Sequence, residues 1–122
     1  MLTGSSNNFI SNNQITRVRL ESASNNNIED NQITKYGKII VDSSSDTVIR
    51  RNIITQSYGI SLSSSHNNII EGKYMAENGG TALSISGSEN TVSYNYIITK
   101  NTKYNAYGIT LPSRGNKVFP TT

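Results

Sequence analysis

The chain has 122 residues, a formal net charge of +3, no cysteine and only 34% hydrophobic residues. That excludes a disulfide framework and a thiolate metal site, a membrane-spanning helix of roughly 20 apolar residues, and a nucleic-acid patch, since the eleven Lys and Arg are scattered. At 16% charged residues the chain has too little self-repulsion for a typical disordered protein. Its bias toward Ile, Thr and Tyr for strands, and Asn and Ser for turns, predicts one all-β domain over residues 1–122.

In chain order, the first predicted strand begins at Leu2 and runs into the corner T-G-S-S-N. The segment N-F-I-S-N-N-Q-I from Asn8 predicts two short strands, and Val18 with Leu20 a third. The plan returns as N-N-I-E-D-N-Q-I from Asn26 with Ile39 and Val41, then as T-V-I-R-R-N-I-I from Thr47 with Ile60 and Leu62. It returns again as N-I-I-E-G-K-Y-M from Asn68 with Leu83 and Ile85, and as N-T-V-S-Y-N-Y-I from Asn90 with Ile109 and Leu111. A partial copy, N-K-V, starts at Asn116. The shared pattern is N-x-[IV]-x-x-N-x-I, anchored at Ile10, Ile28, Ile49, Ile70, Val92 and Val118, with spacings of 18, 21, 21, 22 and 26 residues.

A period near 21 residues with three short strands and Ser-rich corners is one coil of a parallel β-helix. A single coil cannot bury its inward side chains, whereas stacked coils bury them against each other at about 4.8 Å per step. The expected fold is a single-stranded right-handed parallel β-helix of about five coils, its hand set by the general rule for parallel connections. The repeat resembles that of the pectate-lyase-like superfamily across residues 2 to about 119. That superfamily includes polysaccharide lyases and hydrolases, periplasmic copper-maturation proteins of the NosD type, and phage tailspikes and neck appendages. The resemblance implies a segment of a longer extracellular or virion-associated protein, a polysaccharide partner and a possible homotrimer. The pattern itself is scaffold shared by enzymes and non-enzymes.

Asn13, Asn31, Asn52 and Asn95 form one column, interrupted by Lys73; Asn8, Asn26, Asn68, Asn90 and Asn116 form another, interrupted by Thr47. A side-chain amide carries both donor and acceptor, so these columns read as hydrogen-bonded ladders. Asparagine also tolerates the left-handed backbone of tight corners.

Departures from the repeat carry the functional expectations. The corner after the second strand lengthens along the chain, from Ile15–Val18 through Ile33–Ile39, Ile54–Ile60 and Met75–Leu83 to Ile97–Ile109. Its longest version holds Lys100, Lys103, Tyr104 and Tyr107. Rings stack on pyranose faces, and cations bond hydroxyls and carboxylates, so this wall suits a sugar chain. Tyr74 and Tyr96 share an outward column and make either a sugar platform or sheet-surface packing. Tyr36, Tyr58 and Tyr107 each precede a glycine and read as corner packing.

Glu29, Arg50 and Glu71 line up outward, with Asp30 and Arg51 beside them. They read as cross-strand ion pairs, with Arg50 or Arg51 on an acidic sugar as the functional alternative. Glu21 and Asp42 occupy equivalent positions on adjacent coils. Two carboxylates so close need a shifted pKa or a cation, which fits a catalytic pair for glycoside hydrolysis or a calcium ion. No cofactor motif accompanies them. The functional expectation is therefore recognition, or recognition with cleavage, of a polysaccharide, against a purely structural shaft or oligomerisation spacer.

Overall fold

The computed structural model describes residues 1–78, 81–99 and 108–122. The strands are β1 (Leu2–Thr3), β2 (Phe9–Ser11), β3 (Gln14–Glu21), β4 (Asn27–Glu29) and β5 (Gln32–Asp42). They continue as β6 (Val48–Arg50), β7 (Ile53–Thr55), β8 (Ile60–Ser63), β9 (Ile69–Glu71) and β10 (Tyr74–Asn78). The last are β11 (Leu83–Ile85), β12 (Thr91–Ser93), β13 (Tyr96–Thr99), β14 (Ile109–Thr110) and β15 (Lys117–Val118). No helix occurs among the described residues.

Each strand pairs in parallel with the equivalent strand of the next coil, so the chain is a parallel β-helix. One sheet stacks β2, β4, β6, β9, β12 and β15, and its register places Ile10 against Ile28, then Ile49, Ile70, Val92 and Val118. That is the predicted anchor column. The second side stacks Ile15, Ile33, Ile54, Met75 and Ile97. The third stacks Val18, Ile39, Ile60, Leu83 and Ile109.

Two details differ from expectation. About four turns close fully among the described residues, rather than about five. The first two coils also have two strands rather than three. β3 and β5 each run through the corner, joined by a bulge that shifts register between Ile15 and Arg17. The first coil has few residues between Ile15 and Val18, and a bulge turns the strand without breaking it.

The inward columns form one core. Ile28, Ile33, Ile39, Ile49, Ile54, Ile70 and Met75 are fully buried. Each such side chain is stabilised by about 1.5–3 kcal/mol on leaving water. Asn26, Asn31, Asn52, Asn68, Asn90 and Asn95 are buried at the corners as well, and they satisfy the backbone there. Asn52 Oδ1 accepts from the backbone N–H of Asn31 at 3.0 Å and from its side-chain amide at 3.1 Å. Asn52 Nδ2 donates to the carbonyls of Ile28 at 2.9 Å and Arg50 at 3.0 Å. The second column repeats this through Asn68, Asn90 and Asn116.

The ladder asparagines do not supply the left-handed backbone. That falls on the residue before each rung: Asn12 (φ 55°), Asp30 (57°), Arg51 (51°), Gly72 (57°) and Tyr94 (52°). The division follows from chemistry, since the rung residue must aim its amide inward along the column while its predecessor turns the chain.

Candidate functional site

The corner between the second and third sides is built by a close approach of backbones. At Gly37 an added Cβ would lie 2.2 Å from the Thr16 carbonyl oxygen, and at Gly59 (φ +70°) it would lie 2.0 Å from that of Ala82. Only glycine fits, and the residue before each one is pushed outward. The result is an exposed aromatic pair: Tyr36 is 76% and Tyr58 52% exposed, with ring centroids 6.1 Å apart and planes tilted by 36°. The corner packing read from the sequence takes the form of a contact between the two rings at the surface. Their rings touch each other and the solvent, not the core.

Beside the pair lies a hollow of about 230 Å³ lined by Gln14, Ile15, Thr16, Thr34 and Lys35. Gln14 also lines a shallower groove of about 460 Å³ with Asn12, Asn13, Asp30, Asn31, Gln32, Arg51 and Ile53. Rings, hydroxyls, amides and a lysine thus share one outward surface along the first three coils. Arg17 and Lys38 are Cα partners on the same edge, immediately before the third side. Exposure at corners follows from which way the chain turns, and the repeat period carries no signal for that. Arg17 and Lys38 were findable in sequence, because each precedes an anchor of the third side, Val18 and Ile39.

Arg51 lines that groove, and both it and Arg50 are engaged by carboxylates. Arg50 Nε donates to Glu29, and Arg51 reaches Glu29 at 2.9 Å. Arg51 also grips Asp30 with two donors, at 2.8 and 2.7 Å. The Arg50 hydrogen bond holds the Glu29 carboxyl below its usual range, and the Arg51 hydrogen bond does the same for Asp30. Asp30 in turn raises the pKa of Arg51. The cross-strand ion pairs read from the sequence thus form among Glu29, Asp30, Arg50 and Arg51.

Glu21 and Asp42 are Cα partners, as the repeat requires. Arg19 Nη2 stands 3.2 Å from Glu21 and 3.9 Å from Asp42. The cation that such a pair needs is this arginine.

Tyr74 and Tyr96 are Cα partners, and Tyr96 is 46% exposed. The Tyr74 side chain, and Lys100, Lys103, Tyr104 and Tyr107, lie outside the described residues. Lys73, the break in the asparagine column, is 2% exposed, and its Nζ has no hydrogen-bond partner among the described residues. Burial pushes its amine well below the usual lysine range.

The fold defines a parallel β-helix repeat protein. The family model described as "Periplasmic copper-binding protein (NosD)" matches residues 1–119, and the chain belongs to that family. No curated protein and no solved structure matches the chain.

Proposed function

We propose that this chain is a β-helical recognition segment that holds a polysaccharide along its tyrosine-bearing corner. The observation that carries the reading is the exposed Tyr36–Tyr58 pair beside the hollow of Gln14, Thr16, Thr34 and Lys35. Stacked rings bordered by amides and hydroxyls match the alternating apolar and polar faces of a sugar chain. The lengthening of the same corner toward Lys100, Lys103, Tyr104 and Tyr107 extends this edge in sequence. The family description supports a periplasmic setting. A catalytic use of Glu21 and Asp42 has less support, since Arg19 already balances their charge.

The family description also names copper. Copper sites draw on thiolate, thioether and imidazole donors. This chain has no Cys, one His and two Met. Met75 is a fully buried layer of the core, and no group of three His, Cys, Asp or Glu gathers among the described residues. The donor set does not fit a copper centre.

The test is binding of a panel of neutral and acidic polysaccharides to the chain and to a Tyr36→Ala, Tyr58→Ala double variant. Loss of about tenfold or more in affinity for a bound glycan is expected, as for exposed aromatic anchors. Glycan binding that survives the double substitution would sink the proposed ledge. The structural-shaft reading is favoured by the Glu29–Arg50–Arg51–Asp30 network, which spends its charges within the protein. It predicts no glycan binding at all.

A further inference from the structure

We propose that the corner at Lys73 is a proton-operated opening in the wall of the β-helix. When the Lys73 amine takes up a proton, residues 71–73 part from residues 50–52 and water enters the core beside Met75. The device is independent of the glycan ledge. Its basis is how successive coils are joined at the corner that Lys73 occupies, between β9 and β10. One coil earlier, side chains stitch that corner together. Arg50 and Arg51 reach back to Glu29 and Asp30. Asn52 Oδ1 accepts both the backbone and the side-chain N–H of Asn31. At Lys73 the stitching stops. Its side chain brings no oxygen to Asn52. Among the described residues, no side-chain hydrogen bond or ion pair joins residues 50–52 to residues 71–73. Backbone bonds remain, among them Arg51 N–H to the Glu71 carbonyl at 3.2 Å. An added Cβ at Gly72 would meet only Arg51 Cγ, at 3.8 Å, so the neighbouring coil does not close tightly over this corner.

The Ser-rich corner of the same two coils is held, and it supplies the hinge. The Ser44 N–H donates to Ser65 Oγ at 3.2 Å, and Ser65 Oγ donates to the Val41 carbonyl at 3.1 Å. The Thr47 N–H donates to Asn68 Oδ1 at 2.9 Å, and Asn67 Nδ2 donates to Asp46. One corner is thus fixed while the other is joined by backbone alone.

The amine at the loose corner is buried, and its Nζ has no hydrogen-bond partner among the described residues. The groups around it offer nothing to a cation. Arg50 and Arg51 carry the same charge and are held by carboxylates. Glu71 forms no ion pair among the described residues, and Tyr94 and Tyr96 on the next coil are exposed. The side chains of Tyr74 and Glu77, on the strand that Lys73 leads into, lie outside the described residues. Burial alone holds the amine below its usual range. An enclosed ammonium without a partner is costly, and a local opening that wets it disrupts less than unfolding the whole chain. Opening and proton uptake are therefore linked.

The two methionines supply the probe. Met75 is fully buried two residues beyond Lys73, and Met1 is exposed. Dilute hydrogen peroxide transfers one oxygen to an accessible thioether and leaves as water. The chain is treated from about pH 6 to pH 11, and mass spectrometry reads Met75 sulfoxide against Met1 sulfoxide. The Met75 to Met1 ratio is expected to rise about tenfold per pH unit as pH falls below about 10, and then to level off. Lys73→Asn, which restores the oxygen, should give a low ratio that does not change with pH. Lys73→Leu, which removes the amine without restoring the oxygen, should also give a ratio independent of pH. A parent ratio unmoved by pH, or the same pH course in either variant, would overturn the proposal. So would Met75 oxidation that matches the fully unfolded population measured by denaturation, because the opening would then not be local.

Discussion

Lys73 and Asn95 are successive members of one column, and the rung between them carries only one bond: Asn95 Oδ1 accepts the Lys73 backbone N–H at 3.3 Å. In the intact rung above, Asn52 accepts both the backbone N–H and the side-chain amide of Asn31. Lys73 has no side-chain oxygen to offer Asn52 in turn, and its own amine is buried without a partner among the described residues.

Lys73→Asn should therefore raise stability. It restores an acceptor and removes a desolvated amine, worth about 1–3 kcal/mol by the usual cost of unsatisfied buried groups. Chemical denaturation checks it. Lys73→Met removes the amine without restoring the rung and should fall between the two. A Lys73→Asn protein less stable than the parent would contradict the account.

The same residue predicts a pH dependence. Its folded-state pKa is depressed, so the unfolded chain binds the proton that the folded chain gives up. Stability tied to Lys73 is full above the ordinary lysine range and declines as pH falls through the window down to the depressed value. The advantage of Lys73→Asn should therefore be larger at neutral pH than near pH ~10. Melting curves of the two proteins across that range should converge on the alkaline side.

Glu29 and Asp30 give the opposite acid-side signature. Their carboxyls are held low by Arg50 and Arg51, so their contribution is present at neutral pH and is lost as pH falls through the depressed values, below about 4. Arg50→Ala should lower the melting temperature at neutral pH, because Glu29 is 5% exposed and would lose its closest partner. In strong acid the variant and parent should melt together. A constant difference at all pH values would mean that Arg50 acts through packing alone.

Asn52 should be an expensive rung to remove. Its amide makes four hydrogen bonds at 2.9–3.1 Å, all in a buried corner. Asn52→Ala strands donors and acceptors together, at about 1–3 kcal/mol for the groups left unsatisfied. Thr47→Asn, which completes the other column, should be neutral or stabilising. Equilibrium unfolding measures both.

Gly59→Ala tests the corner that turns Tyr58 outward. The new Cβ would meet the Ala82 carbonyl oxygen at 2.0 Å, in a left-handed backbone. Gly4→Ala is the control, because Gly4 has the same sign of φ with nothing within 4 Å. The control should cost about 1–2 kcal/mol from backbone strain alone, and Gly59→Ala clearly more. If the ledge reading holds, Gly59→Ala should also weaken glycan binding as it displaces Tyr58.

Much of this molecule is legible in one dimension. The columns of Ile10, Ile28, Ile49, Ile70, Val92 and Val118 follow from the repeat period, because parallel coils stack residues that recur at that period. The asparagine columns and the adjacency of Glu21 and Asp42 follow for the same reason. The candidate site was less legible. The repeat places Tyr36 and Tyr58 at one corner, but their exposure shows only once the backbones at Gly37 and Gly59 are seen to close against the neighbouring coils.

By itself, then, the sequence determined which residues stand above one another, since stacking depends only on period and on apolar pattern. The tertiary structure alone decided the rest. It set which way the corner tyrosines point, which arginines are already spent on carboxylates, and that Lys73 is enclosed without a partner among the described residues. Those outcomes depend on side-chain direction and on competition among several charges within reach, and a linear repeat encodes neither.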